Sequence, residues 1–195
     1  MKKPKIITSV ITVLGIVLVL SSAVLFVFSN YIQGKYEENS QEIVAEMKKM
    51  IPPAKDGYTD DYRKSSMSVL EINGEDFIGI IDVPGNEKTL PICAYWDKNN
   101  VAKHPCRYTG SIYDGTLIIG GYDNSSQFAV IKTLAIGQTV EITDVSGVVY
   151  SYIVKDVEEN QQATNENLKN KSCDLSLFVK NTETNDYVIV RCKLK

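Results

Sequence analysis

Residues 117–128 read LIIGGYDNSSQF, an apolar run that enters two glycines and then presents Tyr122 and Asp123. A short continuous apolar run closed by glycine is the pattern of a buried strand. A strand end of this kind is a common place for a reactive side chain, yet tyrosine at neutral pH is a poor base and a poor nucleophile. Beyond it, Asp123, Asn124 or Ser125 can cap a short helix. Phe128, Ile131 and Leu134 then form one apolar face at i, i+3 and i+6, and Gly137 ends it.

Working outward, the chain continues as short strands. SVLEI (68–72) and FIGIIDV (77–83) are closed by Asn73-Gly74 and Pro84-Gly85, and TLPI (89–92) follows. Residues 95–113 read as a long irregular stretch. VEITDVSGVVYSYIV (140–154) is two alternating segments joined by Asp144 to Gly147, a hairpin signal. ENQQATNENLKNKS (159–172) is polar with no strand pattern, and DLSLFV (174–179) and DYVIVRCKL (186–194) close the chain. About eight strands with one or two short helices and no βαβ alternation predict a mainly β, closed barrel. In the last strand Val188, Val190, Cys192 and Leu194 share an apolar face, while Tyr187, Ile189 and Arg191 point the other way.

The N-terminus is of another kind. Lys2, Lys3 and Lys5 precede an uncharged apolar run from Ile6 to Phe28, long enough to cross a bilayer as a helix. The basic flank places the N-terminus in the cytoplasm and the rest outside. A cleaved signal peptide with Ser21-Ser22-Ala23 as its cleavage site is the rival reading. The expected organisation is a cytoplasmic tail at 1–5, a transmembrane anchor at 6–29, a juxtamembrane helix and linker at 30–66, and an extracellular β domain at 67–195. Pro52-Pro53 ends the juxtamembrane helix.

A net charge of -3 with no basic tract argues against nucleic acid. Cys93, Cys106, Cys173 and Cys192 contain no C-x-x-C spacing, and His104 is the sole histidine, so neither a metal nor another cofactor is expected. An even cysteine count outside the membrane permits disulfides, but their pairing cannot be read from sequence. His104 reads as a solvent-exposed loop histidine.

Several segments, in order and spacing, resemble the sortases, membrane-anchored cysteine transpeptidases of Gram-positive bacteria. They are FIGIIDVPG with TLPI, PCRYTGSIYDGTLIIGGYD, SSQFAVIKTLAIGQTVEITDVSGVVYSYIV, and CDLSLFV with VIVRC. The last pair resembles a clostridial, class B-like group. The resemblance covers Phe77 to Lys193 and implies an eight-stranded β-barrel. It also implies a chemistry in which a cysteine attacks the sorting-signal threonine, a histidine exchanges protons with it, and an arginine stabilises the oxyanion. Position by position, the histidine falls on Tyr122, the cysteine on Lys180 and the arginine on Tyr187, with Val179 in place of the threonine that usually precedes the cysteine. None of the three is kept.

A His104–Cys106 thiolate pair and Lys180 as an amine nucleophile stay open by residue type, while a loop histidine and a solvated lysine are the plainer readings. Cys106 and Cys192 read as structural, Cys93 has no neighbouring base, and Cys173 lies seven residues before Lys180. The resemblance therefore implies a pseudoenzyme on the cell surface, with Tyr122, Asp123, Lys180 and Tyr187 as its groove. Its partner would be a sorting-signal peptide or a surface or pilin protein, and the same groove filled and inert is the bland alternative. An active cysteine transpeptidase with displaced catalytic residues is the rival from another class.

Overall fold

The computed structural model describes residues 4–53, 55–56, 66–169 and 172–195. Most of the expected linker lies outside these described residues. Helix α1 runs Pro4–Met50. Proline in a first turn forfeits no intrahelical bond, and the Pro52-Pro53 pair just beyond Met50 prevents continuation. The chain divides into two compact units, Met1–Tyr36 and Glu37–Lys195.

In the first unit every described side chain from Ser9 to Asn30 is exposed. The helix contains an 18-residue window of mean hydropathy 2.8, none of it buried. Its length and apolarity suffice to cross a bilayer, as an anchor or as a signal sequence.

The second unit begins inside α1. Ser40, Ile43, Val44 and Met47, spaced i, i+3, i+4 and i+7, are all buried, which is one stripe of a helix. Ile43, Val44 and Met47 pack on Ile72, Phe77, Ile80, Val101 and two cysteines, Cys93 and Cys106. The strands are β1 (Lys55–Asp56), β2 (Leu70–Ile72), β3 (Glu75–Asp82), β4 (Leu90–Cys93), β5 (Cys106–Thr109), β6 (Leu117–Gly121), β7 (Thr139–Asp144), β8 (Val148–Asn160), β9 (Leu175–Lys180) and β10 (Tyr187–Leu194). Strands β3 to β10 close into an eight-stranded ring in the order β8-β10-β9-β6-β5-β4-β3-β7, with β7 returning to β8. The ring is mixed, since β4–β5 and β6–β9 are parallel and the other junctions antiparallel. Its interior is filled by the alternate residues of each strand, among them Ile119, Ile142, Tyr150, Tyr152, Leu177, Val179 and Val190.

Three local expectations change. Residues 95–113 are not irregular throughout but hold α2 (Lys98–Lys103), capped by the Asp97 carboxylate, and β5. The expected helix after Tyr122 is a 3-10 turn over Ala129–Thr133, with Phe128, Ile131 and Leu134 buried. A spacing of i, i+3, i+6 is the 3-10 period, so this turn aligns all three more closely than an α-helix would. The polar tail 159–172 begins as the end of β8 and holds α3 (Asn165–Leu168).

His104 corrects the reading of an exposed loop histidine, since its side chain is fully buried. Nδ1 lies 2.8 Å from Ser40 Oγ on α1, Nε2 lies 3.4 Å from Glu75 Oε2, and the ring meets Phe77 edge-on at 5.6 Å. Glu75 is itself ion-paired with Lys103. Burial brings the imidazole down to about 4, against the opposing pull of Glu75 and with help from Lys103. A histidine lowered in the folded state is a site the unfolded chain protonates first. Its contribution is therefore complete above pH 6.5 and is lost as pH falls towards 4, by roughly 3 kcal/mol. Because His104 is the only histidine, the fall in denaturation midpoint between pH 6.5 and 5 should be attributable to it. His104→Gln should flatten that interval, and a variant that keeps the full slope would refute the assignment.

Candidate functional site

Strand register brings the three sequence-marked positions to one end of the sheet. Lys180, the last residue of β9, is the direct partner of Tyr187, the first of β10. Gly121 pairs with Val179, so Tyr122 follows β6 at the level of Lys180. Because alternate residues face opposite sides, Gly121 and Val179 look into the barrel, while Lys180 and Phe178 stand on the outer face. Lys180 is exposed, Tyr187 half-buried, and Tyr122 is 45% exposed.

The two glycines are explained by packing on both faces. A Cβ on Gly120 would lie 2.4 Å from Phe178 Cζ and 2.7 Å from Trp96 Cζ3, and one on Gly121 would lie 2.8 Å from Phe128 Cβ. Gly120 is thus the floor on which the outer aromatic rings rest, and Gly121 leaves interior room for Phe128. Trp96, Tyr108 and Phe178 form a mutual cluster with centroids 5.3 to 5.5 Å apart, and Tyr187 joins at 6.5 Å from Phe178. Such offset and edge-on pairs add to area burial. The outer face is therefore filled along its floor, with Trp96, Tyr122 and Lys180 left at its rim.

Asp123 does not offer its carboxylate to this rim. Oδ2 accepts from the Thr182 backbone N–H at 2.8 Å and its hydroxyl at 2.9 Å, and Oδ1 pairs with Lys132 at 2.6 Å. Burial works against the charge, but Lys132 and Thr182 outweigh it and hold the carboxyl below its ordinary value. Asp123 fastens the β9–β10 turn to the loop after β6 and so sets the distance between Tyr122 and Lys180. The Tyr122 backbone N–H is held in turn by Gln127 Oε1 at 3.0 Å.

Sequence reasoning passed over the covering of the same face. Arg191, on the outward side of β10, is 3% exposed. Nε donates to Glu158 Oε1 at 2.7 Å, and Nη1 donates to the Leu168 carbonyl at 2.6 Å and to Ser176 Oγ at 3.1 Å. Nη2 donates to the Asn167 carbonyl. One guanidinium thereby clamps α3 onto the sheet, where Leu168 packs against Ile118, Phe178 and Ile189. The strand alternation that put Arg191 opposite Cys192 was the available signal.

The site holds two phenols and one amine, and no thiol is beside it. Cys93, Cys106 and Cys192 are buried, and half-buried Cys173 precedes the far end of β9. Contact with Cys93, and then burial, pushes the Cys106 thiol up strongly, and burial pushes Cys192 up to about 12. Neither supplies thiolate. A cavity of about 420 Å³ lined by Asp114 to Ile118, Leu168, Lys169 and Cys173 to Ser176 also lies at that far end. Among the described residues no group of three or more His, Cys, Asp or Glu side chains is placed to hold a metal.

No protein-family model matches the sequence, and no characterised protein matches it at the sequence level. Solved structures do match in three dimensions. The chain is similar to a Clostridium perfringens sortase D5 transpeptidase at 16% identity and a TM-score of 0.58, over 83% of this chain and 99% of that one. It is similar to Listeria monocytogenes sortase A at 18% identity and a TM-score of 0.53, over 61% and 87% of the two chains. Sortase C1 of Streptococcus agalactiae, in complex with MTSET, matches at 17% identity and a TM-score of 0.55, over 61% and 69%. The chain has the sortase fold, a closed eight-stranded mixed barrel with a long apolar N-terminal helix.

Proposed function

We propose that this chain is a membrane-anchored, sortase-like cell-surface protein without transpeptidase chemistry, and that it contacts peptide at the end of β6, β9 and β10. One observation carries the reading. The places the resemblance assigns to imidazole, thiol and guanidinium are neighbours in strand register and hold Tyr122, Lys180 and Tyr187. Two tyrosines and tryptophan offer rigid apolar area at low entropic cost, and Lys180 offers a donor between them. The filled floor favours a shallow contact along the rim over a deep groove. The partner is a sorting-signal peptide or a surface or pilin protein, met outside the cell by the domain at 67–195 on an anchor at 6–29. The class B-like placement rests on CDLSLFV and VIVRC alone.

Residues 37–195, which include the buried stripe of α1, are expected neither to cleave nor to transfer a panel of sorting-signal peptides, while retaining measurable binding to some of them. With nucleophile, base and oxyanion group absent together, only the small rate that binding alone gives remains. A thioacyl adduct on Cys93, Cys106, Cys173 or Cys192, detected by mass spectrometry, would overturn the reading in favour of displaced catalysis.

A further inference from the structure

Seven of the eight junctions that close the barrel hold three or more register pairs each, but β4 and β5 are joined by one pair alone, Cys93 with Cys106. The narrowest seam of the ring thus carries two thiols side by side. Register partners on neighbouring strands stand about 4.8 Å apart at Cα, inside the window of roughly 4.4–6.8 Å that a disulfide spans. Both side chains turn to the same side, into the cluster beneath Ile43, Val44 and Met47. Both are free thiols in this structure, and Cys106 Sγ donates to the His104 carbonyl at 3.3 Å. The His104 ring nitrogens face Ser40 and Glu75 instead, and among the described residues no third ligand joins the pair to make a metal site.

We propose that Cys93 and Cys106 are a disulfide site that seals the β4–β5 seam. Each thiol gives up its proton and the two sulfurs bond to each other. The two electrons pass to an external disulfide, a small molecule or a protein oxidant, which leaves as two thiols. The bond closes the segment from Cys93 to Cys106, which contains α2 and His104. Both residues are at most 1% exposed once α1 covers them, so the bond forms during folding and resists reduction afterwards. The other two cysteines do not compete. Cys192 is the register partner of Leu175 and faces the barrel interior in a different cluster.

The test uses the full chain in detergent, unfolded, reduced and then refolded in a buffer of oxidised and reduced glutathione. After alkylation, tryptic digestion without reductant should release residues 89–98 joined to residues 104–107, because cleavage follows Lys88, Lys98, Lys103 and Arg107. The oxidised chain should melt about 5–10 °C above the same chain kept reduced in dithiothreitol, as expected for a short loop closed in a domain of this size. Cys93→Ala should abolish that difference. The redox shift and the peptide map of the unaltered chain stand without the variant if it misfolds. Free, alkylated Cys93 and Cys106 after oxidative refolding would overturn the proposal, as would a link from either to Cys173 or Cys192.

Discussion

A chain carrying Tyr122→His, Lys180→Cys and Tyr187→Arg together is expected to hydrolyse a fluorogenic sorting-signal peptide at least roughly 10²-fold faster than Lys180→Cys alone, the gain a general base and an oxyanion donor each supply. A lone cysteine at 180 would be exposed at a strand end, with no base and no cation, and so an ordinary thiol. The backbone around it is already in place. Lys180 and Tyr187 are register partners, and Asp123 ties the turn between them to the loop that carries Tyr122. Tyr122 and Lys180 are exposed, so their replacement leaves no cavity, and arginine at 187 can lay its methylenes where the tyrosine ring meets Phe178. Equal rates for the single and triple variants would show that the base and donor are wrongly placed. A folded triple variant that neither turns over nor binds peptide would show that Trp96, Tyr108 and Phe178 close the groove, favouring a structural role over a binding one.

Replacing Arg191 by methionine is expected to destabilise the barrel by about 3 kcal/mol, since several charge-assisted hydrogen bonds are lost in a buried place. Glu158 is partly exposed and can return to water, but the Leu168 carbonyl and Ser176 lose a donor beneath α3. At this chain length such a loss lowers the melting temperature by about 6–12 °C. Lys193→Met is the control. Its ion pair with Asp174 at 2.8 Å is 46% exposed on the lysine side, and its loss should cost less than about 1 kcal/mol. If the two variants melted together, the clamp on α3 would contribute no more than a surface ion pair.

Much of the barrel is visible in the primary structure because its signals are local. Alternation in 186–194, the glycine turns at 74, 85 and 147, and the apolar run at 117–121 each depend on residues a few positions apart. The interior assignment of Val188, Val190 and Cys192 follows from the same period of two and agrees with their burial. The outward set Tyr187, Ile189 and Arg191 was legible as a side but not as a surface, because what covers a side comes from elsewhere in the chain. Leu168 and Asn167 reach Arg191 from a stretch that carries no strand or helix pattern of its own.

The amino-acid sequence by itself determined the apolar N-terminal helix, the β-barrel class and the identities Tyr122, Lys180 and Tyr187 at the three positions that the resemblance marks, since identity and periodicity are properties of single positions and near neighbours. Tertiary structure alone decided that His104 is buried, because its partner Ser40 lies 64 residues away on α1. It likewise decided that Gly120 supports Phe178 and Trp96, and that Cys93 faces Cys106 across a one-pair seam. Those outcomes depend on which distant strand lands beside which, a matter of ring closure and register that no local pattern encodes.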